Sequence, residues 1–496
     1  MQNDFQRVIP AVFHFVIIDN LFHACYHLIK TEEAFIAVEF MNNQIFQPFE
    51  AGTMGSQTYR IPAIYTLHDG TVLAAADMRY NHGADSPNNI DTLLAFSDDG
   101  YSEWRFNVVN YFDDYVDTVT AKASASFIDT AIVQTEKGRI FILTDLWTSD
   151  GGYMTCKKGT GFVTVNGKEH LLLTTGSCSD KIGTFRYYIG DYKDGFAPVM
   201  RLTDNTATEY SVDEDFCIYK NNEALYQKQE GSDKQIKQNV YYDKSYFSAY
   251  RTCYLWLRYS DDNGKTWSKP MNISSQIKKK SEGFVGVGPG RGATVKVNGK
   301  ERILFTLYRN GLIKGSSEEV VVIYSDDNGK TWHRADTKHG FGVGKTSESQ
   351  IVNLPDGKLR IYARNKGNYI SFSDSTDGGE TWTKFIHDKN LPAYGNCMSS
   401  FINYSRKIKG KNVIIGSFPS DIKKRANGII AVGLVGENNK VDWINKYKVN
   451  EEFFAYSCLT ELKDGNIAFL YEDKAANITY KIYSLSDDGD ITPFKG

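Results

Sequence analysis

The chain has 496 residues, enough for one large domain with an insertion or for two to three ordinary domains. Hydrophobic residues at 41% and charged residues at 24% describe a soluble globular protein and exclude an intrinsically disordered one. The net charge of −3 gives no global field toward nucleic acid or an anionic membrane, so an anionic ligand has to be met by a local cluster of Arg or Lys.

Along the chain, residues 1–45 form an N-terminal segment without a readable element. Its run "RVIPAVFHFVII" (7–18) has the outline of a signal peptide. Asp19 follows at once, no small-residue cleavage site is present, and the run is too short to span a bilayer. It reads as a truncated or altered start or as a docking segment, and no hydrophobic anchor is expected at the C-terminus.

Residues 46–156 alternate apolar strands with polar loops. "YRIPA" (59–63) places Arg60 just before a Pro-bounded strand, and "DMRYNHGADSPNNIDT" (77–92) joins the apolar runs "TVLAAA" and "TLLAFS". "SFIDTAI" (126–132) sets Asp129 inside an otherwise apolar strand. Residues 157–245 change character to short hairpins with polar turns and read as an inserted β-rich subdomain. In 246–496 the strand pattern returns, with Glu348 and Arg364 sixteen residues apart in "SESQIVNLPDGKLRIYARNKG", Arg425 in "KKRANGII" and Tyr456 in "FFAYSCLTEL".

"SDDNGKTW" occurs at 260–267 and again at 325–332, with looser relatives "SDDGYSEW" at 97–104 and "STDGGETW" at 375–382. Each follows an apolar or alternating run that reads as a strand. Ser and Asp accept backbone N–H bonds, Gly takes positive φ, and the Trp folds back over the turn. Copies at intervals of 163, 65 and 50 residues imply repeated strand meanders, hence a propeller with unequal blades. Four turns spread around a ring do not converge on one calcium or sugar site, so they are architecture. The seven cysteines include no CxxC pair and read as small apolar core residues.

The Arg-Ile-Pro of "YRIPA" followed by these Asp boxes resembles the bacterial sialidases, of the large type with an inserted β-domain, from about Gly52 to Glu472. The resemblance implies an all-β, six-bladed β-propeller. It implies that Arg60, Arg364 and Arg425 form an arginine triad, that Asp85 is the acid/base, Tyr456 the nucleophile and Glu348 its partner. It also implies that Arg79 and Asp129 contact the sugar 4-hydroxyl. No cofactor and no metal is expected. Three guanidiniums suit the sialic acid carboxylate through planar, charge-assisted bonds. A carboxylate nucleophile ~4 Å from that group would face roughly 4 kcal/mol of repulsion at an effective dielectric near 20, which a phenol avoids. Asp85 has no anionic neighbour in "HGADSPNN", so burial of this loop would have to raise its pKa.

The activity so implied is that of a retaining exo-α-sialidase acting on sialylated glycans, as a monomer, outside the cell or at its surface, with no nucleic acid partner and no integral membrane segment. A second reading replaces water by an intramolecular hydroxyl, or by elimination, releasing a 2,7-anhydro or 2,3-dehydro product from α2,3-linked sialosides. Thr346 fits that subgroup, whose members wall off water with a bulky aromatic; the lack of Trp in 148–255 favours hydrolysis. A third reading, a sialic acid-binding lectin, needs the arginines but neither Asp85 nor the Tyr456–Glu348 pair.

Overall fold

The structure is a computed structural model. It describes residues 45–80, 82–86, 88–112, 124–149, 151–176, 182–229, 233–310, 318–340, 342–474 and 477–495. The expected N-terminal segment, but for its last residue, together with Cys25 and Cys178, lies outside the described residues. The unit Gln47–Pro493 carries everything that follows.

This unit is all-β and propeller-like, with antiparallel meanders following one another in chain order. The first meander is β1 (Thr58–Thr66), β2 (Val72–Arg79), β3 (Ile90–Ser97) and β4 (Arg105–Asn110). The next is β5 (Ser126–Gln134), β6 (Ile140–Trp147), then Cys253–Ser260 and Met271–Asn272. A single parallel pair, Ile90 opposite Ser126, joins these two into one nine-stranded sheet that also takes in Gly290–Arg291. Two five-stranded and two four-stranded sheets complete the series, ending at Ile491–Pro493. Among the described residues the only α-helix is Ser274–Ile277, and no helix is long and apolar enough to cross a membrane.

The inner strands β2, β3, β5 and β6 are buried along their whole length, which is why they read as continuous apolar runs rather than as alternation. The core lies between successive meanders. One cluster packs Phe141 and Leu143 of β6 and Leu255 and Leu257 beside it against Val285, Phe305 and Ile323 of the following sheet. Between β6 and its partner Cys253–Ser260 the chain leaves to build an eight-stranded sheet and a hairpin, Tyr226–Lys228 with Gln235–Lys237. An aromatic cluster around Tyr241 and Trp256 fastens this sheet to β5.

The repeated turns are built as the octapeptides suggest. Ser325 Oγ accepts from Gly329 N at 2.9 Å, Asp327 Oδ1 from the N–H groups of Lys330 and Thr331, and Trp332 Nε1 donates to Gly329 O at 3.1 Å. The 375–382 copy repeats this set. Gly329 serves twice: it takes φ +84°, and a Cβ there would fall 2.5 Å from Phe141 of the preceding meander. The turn is therefore a staple between neighbouring sheets.

Candidate active site

Three local irregularities aim side chains into one cavity of about 340 Å³. The register of β1 against β2 shifts between Arg60 and Ala63, and that of β5 against β6 between Ile128 and Ala131. A third shift falls between Thr346 and Ser349, in Thr346–Asn353. Each is a bulge, which turns one residue out of the alternation and points it off the sheet edge. At their centres Ile61 stands at φ +59° and Asp129 at φ +64°. Positive φ is costly for a β-branched residue, and such strain persists only where the surroundings hold it. Glu472 does so for Ile61, whose N–H donates to Glu472 Oε1 at 3.0 Å.

The cavity wall brings together Arg60, Asp85, Asp129, Glu348, Arg364, Arg425 and Tyr456. Tyr456, just before the strand Ser457–Glu461, is at the centre. Its hydroxyl donates to Glu348 Oε1 at 2.6 Å, while Arg364 Nη1 donates both to that hydroxyl and to Glu348 Oε2 at 2.7 Å. The Arg60 and Arg425 guanidiniums lie over its ring, 5.7 and 5.2 Å from the centroid. Burial pushes the Tyr456 phenol well above its usual range, with Arg364 opposing and Glu348 adding to the shift. At rest it is a neutral phenol whose proton already points at a carboxylate.

The three arginines are held differently. Glu472 grips Arg60 Nε and Nη2 at 3.1 and 3.2 Å. Arg364 donates from Nε and Nη2 to Asn396 Oδ1 at 3.2 and 2.9 Å, and Arg425 Nη2 donates to the Asn396 carbonyl at 3.3 Å. Asn396 thus sets the spacing of two guanidiniums without neutralising either. Asp129 is buried, and burial followed by the nearby Asp77 and Asp145 holds its carboxyl well above the usual range.

Three expectations need correction. Arg79 is not on the wall: its side chain is 0% exposed, and it lies under the loop, donating to Asp77 Oδ2, Gly83 O and Asp85 Oδ1 at 2.7–2.8 Å. Its Nη1 and Nη2 bonds hold the loop in place. Asp85 is not buried by its loop: the side chain is 56% exposed and its neighbour is the Arg79 cation. The lack of Trp in 148–255 does not leave the cavity without an aromatic wall, because Trp147 at the end of β6 lines it with Tyr153 and Tyr308.

The sequence reading missed Asp77, Glu472 and Asn396. Asp77 is a lone acid in an apolar strand, the pattern that marked Asp129; Glu472, followed by Asp473 and Lys474, and Asn396 in "AYGNCM" carry no such signal.

Known proteins resemble the chain over most of its length. A BNR repeat-like domain model matches residues 237–416. The anhydrosialidase of Macrobdella decora is 34% identical over 86% of this chain and 59% of its own length. Sialidase B of Streptococcus pneumoniae is 30% identical over 86% of this chain and 63% of its own, so the chain spans about three fifths of these curated relatives. The crystal structure of the intramolecular trans-sialidase from Ruminococcus gnavus in complex with oseltamivir carboxylate superposes with a TM-score of 0.80 at 33% identity, over 91% of this chain and 99% of that one. Set beside a propeller-like cavity in which three arginines surround a Tyr–Glu pair, these matches show that the chain belongs to the sialidase family.

Proposed function

We propose that the chain is a retaining exo-α-sialidase that releases terminal sialic acid from sialylated glycans. The observation that carries this is the 2.6 Å bond from Tyr456 to Glu348 inside a ring of three guanidiniums. The arginines bind the C1 carboxylate, and Tyr456 Oη attacks the anomeric carbon as Glu348 takes its proton. Asp85 turns its free oxygen to the glycosidic oxygen and donates a proton, so the aglycone leaves as an alcohol. The sugar is then bonded to Tyr456. A water attacks the same carbon, gives its proton to Asp85, and Tyr456 departs with the proton held by Glu348. Two inversions give net retention. A cavity of about 340 Å³ suits one terminal sugar, which is why the action is exo.

A second reading is favoured by the aromatic wall of Trp147, Tyr153 and Tyr308 and by the names of the relatives, an anhydrosialidase and an intramolecular trans-sialidase. A hydroxyl of the bound sugar then replaces water in the second step and leaves a 2,7-anhydro product. A non-catalytic lectin has no use for the Tyr456–Glu348 bond. We read the nine-stranded sheet as two blades, because one residue pair links its halves, which makes six blades with an insertion at about 157–245. The expected partners are sialylated glycans and the expected site of action is outside the cell.

Proton NMR of the products from 3′-sialyllactose tests the reading. α-Sialic acid as the first product supports hydrolysis, and a 2,7-anhydro sugar supports the second reading. No release of lactose sinks both.

A further inference from the structure

If the C1 carboxylate faces the arginines and the 4-hydroxyl faces Asp129, one wall of the cavity is unassigned. It is built by Ile128, beside Asp129, and by Trp147, Tyr153, Tyr308 and Glu318, which lie between Asp129 and Glu348 in chain order. Around the pyranose ring the 4-hydroxyl is followed by the 5-acylamino group and then by the polyol tail on C6. Ile128 and Trp147 offer apolar surface, which suits an acyl methyl. Glu318 has the opposite chemistry, a carboxylate that only accepts.

Glu318 is built in. Tyr153 Oη donates to Glu318 Oε1 at 2.8 Å, and the Glu318 carbonyl accepts from Thr346 N at 3.0 Å, on the bulged strand that carries Glu348. Tyr153 is itself fixed, edge-on to Phe284 at 4.9 Å and stacked on Tyr308 at 6.4 Å. Its carbonyl accepts from Asn310 Nδ2 at 3.3 Å. Burial, then Glu318, holds the Tyr153 phenol above its usual range, so it remains a donor. Among the described residues the side-chain partner of Glu318 is Tyr153, which bonds Oε1 alone.

We propose that Glu318, held by Tyr153, is the positioning residue for the polyol tail of sialic acid, accepting hydrogen bonds from its terminal hydroxyls. This rests on the sialidase reading above. It assigns the site a preference for sialic acids with an intact, unacylated tail, since truncation or acylation removes the donors.

The test compares kcat/KM on an aryl sialoside with that on its C7 analogue, made by mild periodate cleavage and borohydride reduction. Wild type should prefer the intact tail by about 10- to 100-fold, the range for a hydrogen bond to a charged group. In Glu318→Ala the preference should fall to within about twofold, through loss on the intact substrate while the truncated one is turned over as by wild type. Tyr153→Phe should show an intermediate preference, and Glu318→Gln stands in if the Ala variant does not fold. An unchanged preference in the Glu318 variants overturns the proposal, as does an equal loss on both substrates, which marks a structural role. Wild type inactive on both overturns the sialidase reading itself, and the inference falls with it.

Discussion

At the scale of single residues the cavity is a problem in holding like charges close together until a ligand arrives. Arg60, Arg364 and Arg425 crowd around Tyr456, and each is kept by a different acceptor: Glu472, Glu348 with Asn396, and the Asn396 carbonyl. Tyr456→Phe removes the hydroxyl that bonds both Glu348 and Arg364 and leaves the ring under the two guanidiniums. Turnover of sialosides should drop by several orders of magnitude while the thermal melt stays close to wild type. Near-normal activity would make Tyr456 ordinary core. Asp85→Asn separates acid from nucleophile. An aryl leaving group departs largely unaided, whereas a sugar leaving group needs a proton, so natural sialosides should lose about 10²–10⁴-fold more than the aryl one. Intact mass should show a Tyr456 adduct building up with the aryl substrate. Equal losses and no adduct would leave Asp85 as a partner of Arg79 and nothing more.

At the scale of elements, turns and bulges divide the labour. In the second "SDDNGKTW" the Asp327 carboxylate takes two backbone N–H groups and the hydroxyls of Ser325 and Thr331. Asp327→Ala should cost ~1 kcal/mol in urea unfolding and leave kcat untouched; a large fall in kcat with unchanged unfolding would put the turn in the site. These turns were legible in the sequence because the Ser, Asp and Gly bonds that shape them lie within eight residues. So were the strands before them and the residue types on the cavity wall, which sit near strand ends or, for Asp129, inside an apolar strand, in recognisable order. The bulges at Ile61, Asp129 and Ser347 were not, since a bulge exists only relative to the register of a partner strand. Arg79 was misplaced for a related reason: one residue of alternation separates a side chain on the wall from one beneath it, and the loop at 82–86 decides between them by bonding Arg79 from above. Asn396 and Glu318 became visible only when residues far apart in the chain were brought together.

At the scale of the whole molecule the first meander must meet the last, and that closure passes through the site. Glu472, 2% exposed at its side chain, belongs to Ile467–Lys474 in the final sheet, yet its carboxylate binds Arg60 and Ile61 of β1. Its backbone N–H donates to the Tyr456 carbonyl at 2.9 Å, so one residue joins the closing strand, the central tyrosine and an arginine of the cavity. Farther along, Thr460 Oγ1 accepts from Thr66 N at 3.0 Å and from Arg291 Nη1 at 2.9 Å, a second clasp remote from the cavity. Glu472→Ala removes the first clasp only. It leaves a guanidinium without its carboxylate and the N–H of a strained Ile61 without an acceptor. Breaking a fully buried pair costs ~3–5 kcal/mol, and because the Arg60 side chain is 21% exposed the loss should fall below that range. Glu472→Gln keeps the shape and one acceptor oxygen, so it should lose less. Both variants should raise KM for sialosides more than they lower kcat, because Arg60 loses its aim while Tyr456 and Glu348 keep theirs. Urea unfolding with steady-state kinetics separates the two effects. A Glu472→Ala protein that unfolds like wild type and keeps its KM would show that Arg60 is positioned by the β1 bulge alone and that the ring is closed at Thr460.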